Sequence, residues 1–349
     1  MTSSMALLDQ LACSHTLSVQ EYAQLVQEDD PEFLDALQRR AEAVRNEMYG
    51  NQVFIRGLVE VGNACRQNCL YCGIRRENRA VERYVLSLAD VMACCREGYD
   101  LGFRTFVLQG GEGMFSSRQV VEMVQSIRRH YPDCAITLSL GEYDRKDFCR
   151  MREAGADRYL LRHETANEAL YRQLHPAAMS FMHRVDNLHW LRELGFQVGC
   201  GFMVGAPFQQ PEHLAEDLKF VENFRPHMCG VGPFLPQKDT PLGTHPPGSA
   251  AMTCRMYALM RLMIPGLLIP ATTALGSLVS GGREMGIRWG ANVVMPNLSP
   301  FHQRKKYALY DHKLATGTES AQNLQDLRAS MAAIGYEVAV ARGDSLVEG

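Results

Sequence analysis

The sequence predicts an α/β protein, a complete (β/α)8 TIM-type barrel with an N-terminal helical extension and a C-terminal helix, and three observations predict it. Eight short apolar or β-branched runs recur, at residues 53–63, 105–112, 135–142, 158–165, 197–207, 228–236, 267–275 and 291–300. Amphipathic stretches of helical period lie between them, as at 87–101, 117–131, 184–194 and 212–224. Helix punctuation agrees with both: Ser87 and Ser180 stand at N-cap positions, and Gly102, Gly155 and Gly195 stand where a helix should stop. Strands alternating with helices imply a parallel sheet with crossover helices. Eight is the number that closes into a barrel. An open doubly wound sheet is the alternative.

Before the first strand, residues 18–48 carry apolar positions at helical spacing (Tyr22, Leu25, Val26, then Phe33, Leu34, Leu37), which predicts one or two helices. Residues 1–50 are therefore expected to form a helical extension packed on the barrel. Residues 51–312 form the barrel itself, and 313–349 a tail with one more helix over about 318–334. At 349 residues, 46% hydrophobic and 21% charged, the chain has the composition of a globular protein. A net charge of −3 argues against a nucleic-acid partner, whose phosphates call for a basic surface. No apolar run reaches the roughly 18–20 residues that span a bilayer, so no membrane association is expected. Residues 1–13 lack a basic start followed by an apolar core, so no secretion signal is read and a cytoplasmic location is expected. The eleven cysteines should then be reduced thiols or metal ligands rather than disulfides.

In such a fold the chemistry sits at the C-terminal ends of the strands. After the first strand comes Asn-Ala-Cys65-Arg-Gln-Asn-Cys69-Leu-Tyr71-Cys72-Gly, a C-x3-C-x2-C spacing. Three thiolates on one tight loop can ligate three irons of a cubane cluster and leave the fourth open. Structural zinc normally needs four protein ligands, and no second paired knuckle is present. The spacing, with the aromatic Tyr71 just before the last cysteine, is the signature of the radical S-adenosylmethionine (radical SAM) superfamily. That resemblance implies a [4Fe–4S] cluster that donates one electron to SAM, giving methionine and a 5′-deoxyadenosyl radical.

Other strand ends supply candidates for holding SAM and a substrate. Gly110-Gly111-Glu112 ends the second strand and resembles the superfamily's glycine-rich element; alone it could be a turn. Thr137 and Ser139 share a face of the third strand, and Arg162 and Glu164 a face of the fourth. Barrel interiors favour branched apolar residues, so a buried Arg and Glu there need a partner; a charge ladder is the structural alternative. Arg184 opens the following helix and could pair a carboxylate. Thr272, Thr273 and Ala274 end the seventh strand as a candidate anion nest. Met295 ends the eighth, and Tyr307 and Tyr310 follow where they could close the pocket.

Several segments together resemble the [FeFe]-hydrogenase maturase HydE family: residues 63–76 with the cysteines, RYLLRHETAN at 158–167, residues 205–207, GVGPFLPQKDTP at 230–241, IPATTAL at 269–275 and GANVVMPNLSP at 290–300. The resemblance covers roughly residues 50–312. It implies a role in assembling the diiron subcluster of the hydrogenase H-cluster, on a cysteine-bound iron carbonyl cyanide unit or another small iron-containing or amino-acid-derived substrate. Other hydrogenase maturation proteins and an electron donor would be the partners. By position, Gly111, Thr137, Ser139, Arg162, Glu164 and Arg184 would serve SAM. Thr272, Thr273 and Ala274 would form a deep anion site, with Tyr307 and Tyr310 near the substrate. Some family members carry C-terminal cysteines for a second cluster; no cysteine follows Cys254 here, so no C-terminal accessory cluster is expected. Cys94, Cys95, Cys134, Cys149, Cys200, Cys229 and Cys254 are read as packing residues, with Cys200 the foremost candidate for an exception. Methylornithine synthase and biotin synthase are the alternatives within the superfamily, and a non-catalytic iron–sulfur scaffold or carrier is the alternative of another class.

Overall fold

The computed structural model describes residues 2–314 and 319–347. Three helices come first: α1 (Ser4–Ser14), α2 (Val19–Gln27) and α3 (Pro31–Tyr49). Strands and helices then alternate through β1 (Gln52–Ile55), β2 (Gly57–Gly62), α4 (Leu88–Asp100), β3 (Thr105–Gly110), α5 (Ser117–His130), β4 (Ala135–Ser139), α6 (Arg145–Glu153), β5 (Arg158–Leu160), α7 (Glu168–Leu174), α8 (Phe181–Glu193), β6 (Gln197–Cys200), β7 (Met203–Val204), α9 (Pro211–Phe224), β8 (Met228–Cys229) and β9 (Gly232–Pro233). The last part holds α10 (Ala250–Met263), α11 (Thr273–Leu278), α12 (Gly282–Arg288), β10 (Val293–Val294), α13 (Phe301–Arg304), α14 (Leu324–Ala333) and β11 (Glu337–Ala339).

Six strands form a parallel sheet in the order β2-β3-β4-β5-β6-β8. A second parallel sheet runs β10-β1-β11. β1 and β2 are one extended run interrupted at Arg56, so it contributes to both sheets. Single parallel bridges continue the pairing: Met228 with Leu268, Pro270 with Val293, and Leu58 with Asn297. The expected seventh strand thus reduces to bridges. Pro270 has no N–H to give a ladder, and Thr272 already caps α11. The expected eighth reduces to Val293–Val294, although Leu298 N still donates to Leu58 O at 2.7 Å.

Local signals account for most helices. Ser87 and Ser180 accept hydrogen bonds from Asp90 N and His183 N as N-caps. Gly102, Gly155 and Gly195 all adopt positive φ just past helix ends. α2 and α3 fill the helical stretch expected at 18–48, and α1 precedes them, burying Leu7, Leu8 and Leu11. The extension is tied to the sheet body by buried polar contacts. Tyr22 donates to Glu222 at 2.6 Å, and the buried Arg45 donates to the carbonyls of Gly50 (2.6 Å), Gln52 and Ala291. In the tail, the helix expected from about 318 appears as α14 after a 3-10 turn at Ala321–Asn323; Thr318 lies outside the described residues. β11 was not expected. It pairs with β1 at the base of the sheet, Val338 beside Val53.

Candidate active site

The cysteine loop leaves β2 and has no regular structure, so its carbonyls need other donors. Arg83 supplies four hydrogen bonds, to Asn63 O (2.6 Å), Ile74 O (2.8 Å), Arg75 O (2.6 Å) and Asn78 O (3.0 Å). Neighbouring segments hold the loop as well. Arg66 N donates to Glu112 O at 2.8 Å, Leu70 N to Leu174 O at 2.9 Å, and Gly73 N to Leu309 O at 2.8 Å. Gly73 must be glycine there, because a Cβ would stand 2.0 Å from Ala308 O.

Cys65, Cys69 and Cys72 are free, partly buried thiols facing a chamber of about 220 Å³. Burial pushes the Cys72 thiol up to about 12 and Cys69 well above its ordinary value. Metal binding would therefore expel protons from them. Among the described residues no three His, Cys, Asp or Glu side chains gather closely enough to hold one metal ion. Three thiols spread along a loop are instead the donor set of a polynuclear cluster with one open iron.

Gly110, Gly111, Glu112, Ser139, Arg162, Glu164, Arg184 and Tyr307 line the same chamber. Gly111 packs on the cysteine loop, where a Cβ would meet Ala64 O at 2.0 Å. Both oxygens of Glu112 are engaged within the chain. One receives Gln67 Nε2 (2.5 Å) and Arg66 Nη2 (3.2 Å), the other Arg184 Nη2 (3.3 Å). Arg184, buried on α8, also forms an ion pair with Glu142, 2.7 Å from its Nε. Burial works against the Arg184 charge; Glu142 and Glu112 outweigh it and push its pKa up. Burial raises the Glu142 carboxyl. Beside the cluster loop, Arg184 lines the chamber with a guanidinium that two carboxylates hold in its charged form. With the thiol donor set, it makes the residues present fit a [4Fe–4S] cluster and SAM.

A second cavity of about 320 Å³ lies deeper, and Tyr71, Cys72, Gln109, Leu160, Arg162, Glu164 and Leu309 line both spaces. Arg162 and Glu164 do meet, but not as alternate residues of one strand. β5 ends at Leu160, and Glu164 takes a left-handed φ of +67°, which turns its carboxylate back onto Arg162. Arg162 holds both Glu164 oxygens (2.9 to 3.2 Å) and donates to Gly230 O (2.5 Å) and Phe202 O (2.9 Å). A strained non-glycine backbone at such a point costs of order 1–3 kcal/mol and marks functional sites.

Thr272, Thr273, Ala274, Met295 and Tyr310 line the inner cavity. Thr273 Oγ1 is committed to Glu319 at 2.8 Å, so the expected pair of free hydroxyls is reduced. The two tyrosines are separated. Tyr310 faces the inner cavity, whereas Tyr307 faces the cluster chamber, its OH 3.5 Å from Gln109 Nε2. Thr137 lies away from both, beside Arg56 in a void of about 10 Å³ toward the base of the sheet. Strand alternation puts it on the face of Ser139 but a full pleat deeper. Cys94, Cys95, Cys134, Cys200, Cys229 and Cys254 are buried in the apolar core, Cys200 and Cys229 with sulfurs 3.9 Å apart. Cys149 differs from the expected packing role: it is half-exposed on α6, its thiol on Glu153. Sequence reasoning missed Glu60, Gln109, Glu142 and Lys313. The signal for Glu60 was an acidic residue inside a strand buried on both faces.

The model of the radical SAM superfamily matches residues 59–221. Over 287 residues, 82% of each chain, the protein is 44% identical to the [FeFe] hydrogenase maturase subunit HydE of Thermotoga maritima. The chain belongs to the HydE family. This HydE-family protein is a radical SAM enzyme, and its family implies SAM and a [4Fe–4S] cluster. It is also 28% identical to the 3-methylornithine synthase of Methanosarcina acetivorans, over 85% of this chain and 84% of that one. A crystal structure of methylornithine synthase superposes with a TM-score of 0.85 at 27% identity, covering 95% of this chain and 97% of the other.

Proposed function

We propose that this HydE-family enzyme acts in assembly of the diiron subcluster of the [FeFe]-hydrogenase H-cluster, on a cysteine-bound iron carbonyl cyanide unit, with other maturation proteins and an electron donor as partners. The observation that carries the reading is the junction of the two cavities at Cys72, Tyr71 and the Arg162–Glu164 pair. A reagent generated beside the cysteines has a short route inward to a chamber with a largely apolar lining. When bound, the reduced cluster supplies the electron that cleaves SAM to methionine and a 5′-deoxyadenosyl radical.

The chain's residues do the positioning. Cys65, Cys69 and Cys72 hold the cluster. Arg184, held between Glu112 and Glu142, supplies positive charge beside the ligand, while Gly110, Gly111 and Ser139 border its polar groups. Arg162 and Glu164 hold the boundary between the chambers, and Thr272, Thr273, Ala274, Met295 and Tyr310 enclose the substrate. Thr137 acts at most through the packing beneath Ser139. The bridges at Leu268, Pro270, Val293 and Asn297 support reading the six-stranded and three-stranded sheets as parts of one complete (β/α)8 barrel over 51–312, with 1–50 packed outside it and 313–349 as its tail. One cluster per chain is proposed. No described helix is long and apolar enough to cross a membrane, and free cysteines throughout suit a cytoplasmic location.

The deciding experiment is twofold. Reconstituted, reduced protein should form 5′-deoxyadenosine, and co-expression in a maturation system lacking this component should restore hydrogenase activity. A protein that keeps its cluster yet never cleaves SAM would be a scaffold instead. The methylornithine synthase superposition favours one second reading, rearrangement of lysine; methylornithine formed from lysine without restored hydrogenase activity would establish it.

A further inference from the structure

The inner cavity has two opposed ion pairs in an otherwise largely apolar lining. Arg162–Glu164 stands at the boundary with the cluster chamber. The other pair, Glu60–Lys313, lines only the inner cavity. Glu60 projects from β2 on the same face as Leu58 and is fully buried. One of its oxygens takes Asn297 Nδ2 at 2.9 Å and the other takes Lys313 Nζ. Lys313 also donates to Tyr307 O at 3.1 Å, with its ammonium 4.8 Å from the centre of the Tyr307 ring. Among the described residues that uses two of its three N–H donors in hydrogen bonds and leaves one for a ligand.

We propose that Glu60 and Lys313 are the receptor for the α-ammonium and α-carboxylate of an amino-acid-derived substrate, a proposal that rests on the reading of the inner cavity as the substrate chamber. Charges on side chains buried this far need to stay paired. A buried ion pair whose partner is removed leaves an uncompensated charge, which is strongly unfavourable. An α-amino acid carries the same two charges a short distance apart. It can enter between Glu60 and Lys313, giving its carboxylate to Nζ and its ammonium to the Glu60 carboxylate, and every charge stays paired. A ligand with an amine alone strands Lys313, and one with a carboxylate alone strands Glu60. The pair therefore selects zwitterions over singly charged analogues of the same shape. It also sets orientation: the charged end is held at β2 and Lys313, and the side chain is free to extend toward Cys72 and Arg162.

Three probes of one skeleton test this on the SAM-loaded holoenzyme: S-methyl-L-cysteine, 2-(methylthio)ethylamine, which lacks the carboxylate, and 3-(methylthio)propionate, which lacks the amine. Calorimetric titration should give S-methyl-L-cysteine an affinity roughly tenfold or more above either analogue, the size of a lost charge-assisted hydrogen bond. Equal affinities for the three in the wild-type protein overturn the proposal without any variant. Lys313→Met should abolish the preference over 2-(methylthio)ethylamine, and Glu60→Gln the preference over 3-(methylthio)propionate. A purely structural ion pair would instead weaken all three probes alike. Formation of 5′-deoxyadenosine by the wild-type protein separates the two readings: if it fails, the proposed function fails, whereas loss of zwitterion selectivity with SAM cleavage intact defeats only this assignment.

Discussion

At the base of the sheet Arg158 spends its donors on Gln197, Thr105, the carbonyl of Arg342 and Asp344, the last at 2.5 Å, while Arg342 reaches Asp157 and Asp344. At the opposite end Arg184 sits between Glu112 and Glu142 at the edge of the cluster chamber, and among the described residues Lys313 makes two of its three possible hydrogen bonds. Both ends bury charge. The base turns nearly all of it onto the chain itself, and the active end lines cavities with it. Arg56 is the exception at the base: its Nε and Nη2 lack acceptors beside Thr137, around a void with room for about one water. Buried charge is costly to keep unless paired, and at the strand ends a ligand can add partners to it.

Breaking each end in turn should expose that difference. The largest effect is expected for Cys69→Ala, which removes one of three cluster ligands: 5′-deoxyadenosine should fall below detection, with iron content reduced on reconstitution. Arg162→Lys keeps the charge but loses the fork that holds Glu164 and two carbonyls. The rate of 5′-deoxyadenosine formation at limiting SAM should drop roughly tenfold to a hundredfold, the range of a lost charged hydrogen bond. Gly111→Ala drives a methyl into Ala64 O. Overpacking of this kind costs about 1–3 kcal/mol, read as a lowered melting temperature and faster cluster loss under chelator. Asp344→Asn, at the base, should lower the melting temperature by a few degrees at most and leave SAM cleavage unchanged. Burial opposes ionisation of Asp344, but its bonds to Arg158 prevail and hold the carboxyl at about 2. A depressed carboxyl stabilises above its unfolded pKa of about 3.9 and loses that contribution as pH falls through the folded value. The gap between Asp344→Asn and wild type should therefore be full at neutral pH and close between about pH 4 and pH 2.

The two ends also differ in how legible they were. The cysteine loop, Arg162, Glu164 and Arg184 could be named because charged or thiol side chains at strand ends stand out against apolar runs. How Arg162 and Glu164 meet could not, since alternation along a strand says nothing of a left-handed φ at position 164. Strands with long apolar runs, such as β3 and β4, were plain. The seventh and eighth were overestimated because Pro270 and Pro296 interrupt the ladder that their neighbours' hydrophobicity suggests. α10 buries every residue from Thr253 to Met263 and so has no polar face to reveal a period. Lys313 lies on a segment without regular structure, and nothing local ties it to Glu60, 253 positions earlier.

The hydrogen bond from Gly73 to Leu309, with that from Asn63 Nδ2 to Lys306 O at 2.6 Å, has a consequence for the order in which the protein is made. The cysteine loop leaves the ribosome early, and the segment that covers it comes more than two hundred residues later. At about 5–20 residues per second, the nascent chain presents its three thiols uncovered for on the order of ten seconds or more. The cover arrives only after β10 has been synthesised.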